Sequence, residues 1–261
     1  MSVRFAELAA SAAPWSGLRP ATCYPDSCFC EALRDGLIRQ PVNAASSLAF
    51  VVVAVAVARS SAGEHPSGYE RAGAGVMRDM FVLSLVLIGV GSAFYHSSLS
   101  FAGQFADVLG MYLLATLVIL AGLKRFEGLS ARNAWVLYGL ANGVLAWALY
   151  GIPELRRYLF GALIVLGAWL EARRREWSRS DRTLRVALGV FALALVAWTL
   201  DITGAACRAD SWVQGHALWH VLTATTCWLL YRHYRSTAAR ERGGPAPSAI
   251  SRDFRSRSRD G

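Results

Sequence analysis

A chain of 261 residues that is 54% hydrophobic, holds nine Trp and breaks its long uncharged runs with Arg clusters is composed for lipid, since a soluble core of this size would not need such runs. Its formal charge of +9 requires no nucleic-acid partner, because the excess falls where a membrane protein keeps its cytoplasmic Arg and Lys. No self-similarity recurs at a fixed period, which excludes a repeat architecture.

Residues 1–41 form an N-terminal segment that lacks the charged start and apolar core of a cleavable signal peptide, so the first helix is expected to insert as its own signal. Stretches of about 20 apolar residues then fall near 42–58, 80–97, 105–123, 134–151, 158–171, 186–204 and 212–231. The fold class read from them is all-α: a polytopic seven-transmembrane-helix bundle occupying 42–231. The 158–171 stretch is short enough for a re-entrant or interfacial segment, and charge decides for a span. With the N-terminus outside, the loops after helices one, three and five hold three, three and six Lys or Arg, and the tail holds eight. The loops after helices two, four and six hold zero, two and one. This is the positive-inside asymmetry of a bundle with its N-terminus outside and C-terminus cytoplasmic; six spans would move the tail cluster to the sparse side. The tail, 232–261, is polar and rich in Arg, Ser, Gly and Pro, and is expected to be disordered and to touch anionic lipid.

Cys23, Cys28, Cys30 and Cys207 share the expected outer face, where an oxidising compartment permits a disulfide. A Cys28–Cys207 bond would pin the N-terminal segment over the loop between helices six and seven; free thiols are the alternative. Cys28-Phe29-Cys30 lacks the usual spacing of a zinc knuckle.

The same topology places Ser92 and His96 at the outer end of helix two, Asp107 at the outer start of helix three, and His216 and His220 at the outer start of helix seven. Ser92 and His96 are four apart, as are His216 and His220, so each pair shares a helix face. A loop of about seven residues between helices two and three lets Asp107 sit beside His96. Singly, each has a plain reading: a hydrogen-bonded core His, a Ser bonded to its own backbone, an Asp capping its helix. Convergence at one depth of the membrane, where ionisable groups are costly, points to a site. Three neutral imidazoles with a fourth position free form the donor set of catalytic zinc. Zinc acidifies water and polarises a carbonyl, Asp107 is the candidate proton acceptor, and Ser92 the candidate donor to a developing oxyanion. His65 and His233 are assigned no part.

Gly91-Ser92-Ala93-Phe94-Tyr95-His96, Gln104-Phe105-Ala106-Asp107 with Met111, and His216-Ala217-Leu218-Trp219-His220 resemble the alkaline ceramidases, within the wider CREST superfamily of seven-helix hydrolases. Gln40-Pro41-Val42-Asn43-Ala44-Ala45-Ser46-Ser47-Leu48 is similar to the segment opening the first helix there. The resemblance spans about residues 23–231. It implies zinc on His96, His216 and His220, with Ser92 and Asp107 completing the site, and hydrolysis of ceramide to a sphingoid base and a fatty acid. Some members bind calcium through an acidic segment reading Asp-Trp-Cys-Glu-x-Asn with a further Glu near helix one. Here Asp26 and, after a register shift, Glu31 are the candidates, and Gln40 stands in place of the further Glu. Fewer carboxylates imply weaker calcium affinity.

The expected partner is therefore a ceramide-like membrane lipid reaching the site sideways from the bilayer; no protein partner is indicated. A lipid ester hydrolase and a receptor-like seven-helix protein with a structural zinc are the competing readings, and a His/Asp proton relay in a transporter is weaker for want of inverted repeats. Composition favours a bacterial inner membrane, while the endoplasmic reticulum or Golgi fits the same topology.

Overall fold

The computed structural model describes residues 15–22, 28–60, 70–123, 130–173 and 182–241, whose regular structure is helical with no strand among them. Seven α-helices follow in order: α1 Pro41–Ser60, α2 Glu70–Ser98, α3 Phe101–Gly122, α4 Ala131–Gly151, α5 Arg156–Arg173, α6 Arg182–Ile202 and α7 Gly215–Glu241, with a 3-10 turn at Pro153–Leu155 before α5. Five of them, α1 to α4 and α6, are long and apolar enough to cross a membrane. α5 falls short because its 18 residues include Arg156, Arg157, Glu171 and Arg173. α7 falls short because His216, His220 and a run of Thr, Arg and His interrupt it.

Several boundaries differ from the sequence reading. α2 and α3 are joined by only Leu99 and Ser100 instead of about seven residues, because the Ser100 hydroxyl accepts from the Gly103 amide and caps α3 at Phe101. Leu99 makes this turn at φ 49°, a backbone region that costs a non-glycine residue. α7 continues to Glu241, so 232–241, expected to begin the disordered tail, is helical. His233 is consequently buried, not at a tail boundary.

Packing follows an arc. α5 and α4 lie on α3, α3 on α2, α2 on α1, α1 on α7, and α7 on α6. Phe50, Met80, Phe81, Leu85, Leu117 and Tyr231 fill its interior. Val52, Leu140, Val144, Trp147, Val165 and Val196 stand exposed on the outward faces, an apolar surface whose solvent is lipid. α5 and α6, though consecutive, form the two ends of the arc and scarcely touch.

Candidate metal centre

Small residues bring α2 and α3 to backbone contact. A Cβ on Gly91 would lie 2.7 Å from the Asp107 amide nitrogen, one on Gly103 2.6 Å from Tyr95 Cα, and one on Gly110 2.6 Å from the Ile88 nitrogen. All three contacts obey one antiparallel register, which sets Asp107 across from Gly91 and so beside Ser92. The Asp107 carboxyl group therefore lies beside the Ser92 side chain. Ser92 and His96 occupy successive turns of α2, and His216 and His220 the first turns of α7.

The fold brings the ring nitrogens of His96, His216 and His220 within 4.8 Å of one another. All three are buried, at 0%, 5% and 3% exposure. Neighbouring groups fix how two of the rings are protonated. Gln40 Nε2 donates to the Glu31 carbonyl at 3.1 Å, which leaves its Oε1 to accept from His96 Nδ1 at 2.8 Å. The Ser46 hydroxyl donates to the Asn43 carbonyl, so its oxygen accepts from His220 Nδ1 at 2.9 Å. Each Nε2 lone pair is thereby turned inward, as an outer hydrogen bond does for a metal-ligating His. Ser92 Oγ lies 3.3 Å from His220 Nε2. Among the described residues His96 Nε2 and His216 Nδ1 are buried without a hydrogen-bond partner, which leaves about 1–3 kcal/mol of desolvation uncompensated at each. A cation shared by the rings would relieve both. Among the described residues no carboxylate or thiolate completes the group, so the donor set fits a zinc ion with a position left for water or substrate.

An N-terminal strap covers this cluster. Phe29 lies over it, its ring centroid 4.0 Å from that of His216 and 4.7 Å from that of His96. The disulfide to Cys207 is made by Cys30, not Cys28 as expected. The loop register decides it: the Ala32 amide donates to the Ala209 carbonyl, which sets Cys30 opposite Cys207, and Cys28 is engaged in a disulfide of its own. Asp201 ties strap and site together, its Oδ2 accepting from the Cys30 amide and its Oδ1 from the His216 amide at the start of α7.

Glu31 lies apart from the histidines. Its two oxygens accept from the Val42 and Asn43 amides at 2.8 Å each, capping α1 from outside the helix. Burial raises its pKa above the ordinary value, against the lowering effect of those two amides. Asp26, the other calcium candidate, lies outside the described residues.

Below the histidines runs a cavity of about 480 Å³ lined by Asp107, His216 and His220 at its head and by α3, α5, α6 and α7 along its walls. Sequence reasoning named the histidines, Ser92 and Asp107 but no role for Gln40, Ser46, Phe29 or Asp201. A signal existed for three of them: Gln40 and Ser46 belong to the motif quoted at the start of α1, and Asp201 is the one carboxylate of a mostly apolar helix.

Two curated relatives share part of this chain. "Putative alkaline ceramidase dcd3A" of Dictyostelium discoideum is 26% identical over 158 residues, covering 58% of this chain and 51% of that protein. "Putative alkaline ceramidase dcd3B" of the same organism is 26% identical over 166 residues, covering 54% of this chain and 57% of that protein. The chain thus spans about half the length of the curated relatives it matches. The Ceramidase family model matches residues 29–251, a stretch that holds the Phe29 strap, all three histidines, Ser92 and Asp107, and the chain belongs to that family.

Proposed function

We propose that this chain is a zinc-dependent membrane hydrolase that cleaves the amide bond of ceramide, with zinc held by His96, His216 and His220. The observation carrying this reading is the buried trio of imidazoles, two of its nitrogens without a hydrogen-bond partner among the described residues, at the head of a largely apolar cavity with Ser92 and Asp107 close by. Zinc at this site supplies acidified water and a polarised carbonyl. Water adds to the amide carbon, and the Asp107 carboxylate accepts its proton. The Ser92 hydroxyl donates to the oxygen on which charge develops. As the C–N bond breaks, the proton held on Asp107 passes to the departing nitrogen, releasing a sphingoid base and a fatty acid.

Substrate enters sideways, between α5 and α6, where the arc is open and both helices turn lining residues toward the cavity. We read the bundle as seven spans with the N-terminus outside and the C-terminus cytoplasmic, in a bacterial inner membrane. Support comes from the Arg-rich inner loops and from the disulfide on the opposite face. The reading gives calcium no part, since Glu31 is committed to α1 and Gln40 to His96.

Metal analysis of detergent-purified wild type and His216→Ala, with fatty-acid release from a fluorescent ceramide and a matched ester lipid, tests the proposal. About one zinc per chain, lost together with amide cleavage in the variant, is expected. Full turnover by verified zinc-free protein overturns zinc dependence, and preference for the ester overturns the amidase.

A further inference from the structure

Three helices span the cavity. Its lining positions run from Arg156 to Glu171 on α5, from Trp198 back to Leu184 on α6, and from His216 to Tyr234 on α7. At about 1.5 Å of rise per residue these stretches are roughly 23, 21 and 27 Å long, and the shortest limits the depth. Their upper ends meet the histidines, and their lower ends converge on a cluster that the hydrolysis does not use. There Glu171, 8% exposed, accepts from His233 Nε2 at 3.1 Å and from the Tyr234 hydroxyl at 3.3 Å. His233 and Tyr234 are equally buried. Between head and floor the walls are mostly apolar, with Leu163 and Ala168 on α5, Leu188 on α6, and Cys227 and Leu230 beside Thr223 and Thr226 on α7.

We propose that the Glu171–His233–Tyr234 cluster is the floor of a hydrocarbon-chain site and sets the longest chain the cavity takes, roughly 16 carbons for a zigzag of C–C bonds about 1.5 Å long. The inference deepens the lipid-hydrolase reading above and rests on it for the chemistry at the head. A methyl terminus is welcome along the walls, where each buried methylene is favourable. At the floor it would have to part a buried carboxylate from two donors and offer nothing in exchange. The cluster joins α5 to α7, so a longer chain cannot displace it without separating those helices.

The test is displacement of a fluorescent fatty acid from the full-length protein in detergent by saturated fatty acids of about 12 to about 24 carbons. Each added methylene should tighten binding up to roughly fourfold until the chain meets the floor, after which affinity falls by at least about tenfold. Ala168→Leu, at an exposed lining position about one turn above Glu171, moves the break to chains shorter by a few carbons. Tyr234→Ala moves it to longer ones. A series that tightens smoothly to the longest chain, a break that neither variant moves, or no displacement at all overturns the proposal. Displacement requires no amide cleavage, so a missing ceramidase activity would fell the hydrolase reading while leaving the break in place, and the reverse.

Discussion

Gln40 holds one amide between two partners, donating to the Glu31 carbonyl and accepting from His96 Nδ1. Replacing it with Leu keeps the side chain's bulk and removes the acceptor, which frees the His96 ring to rotate or to change tautomer. Zinc affinity measured by chelator competition is expected to fall about 10- to 100-fold, the range seen when such an outer partner is lost, with the fold intact by circular dichroism. An unchanged affinity would mean that packing by Phe29 alone orients the ring. The histidines themselves were legible in the sequence because an imidazole in lipid is costly and four-residue spacing is visible by eye. Gln40 was not, since it attracted notice only for not being a Glu, and its task depends on a segment some 56 residues from its partner.

At the scale of helices, the α2–α3 hairpin decides whether His96 and Asp107 belong to one site. Gly110 has the Ile88 backbone 2.6 Å from where a Cβ would sit, while Gly139 on the outward face of α4 has nothing within 4 Å. Gly110→Ala must therefore push the hairpin apart, and overpacking of this kind costs about 1–3 kcal/mol. Gly139→Ala should be neutral or stabilising by roughly 0.5–1 kcal/mol. Thermal unfolding in one detergent, compared for the two variants, reads the difference directly; equal midpoints would show that the hairpin has slack. The existence of seven helical segments was well read from hydropathy, whereas seven spans, as argued from charge, go beyond the five helices long and apolar enough to cross a membrane. Boundaries were poorer where a cap acts: Ser100 starts α3 four residues before the apolar run suggested, and the helical continuation of α7 is stabilised by burial of His233 and Tyr234 against Glu171, partners on another helix.

For the whole molecule, the Cys30–Cys207 bond closes a loop of 177 residues and holds Phe29 over the histidines. Cys207→Ser should lower stability by about 2–4 kcal/mol, seen as a lower midpoint, and reduced wild type should fall at least as far because Cys28 also loses its own disulfide. Ceramide turnover should fall in the same variant even below its melting range, because the strap that carries Phe29 is released. The helical class, the membrane setting and the set of residues placed at one depth were determined by sequence alone, since hydropathy, charge asymmetry and four-residue spacing act over one segment or one loop at a time. Tertiary structure decided which cysteine bonds to Cys207, which way the rings of His96 and His220 point their lone pairs, where the arc of helices stays open and where the cavity ends. Each of those depends on distances of a few ångströms between segments far apart in the chain, and only the packed backbone sets such distances.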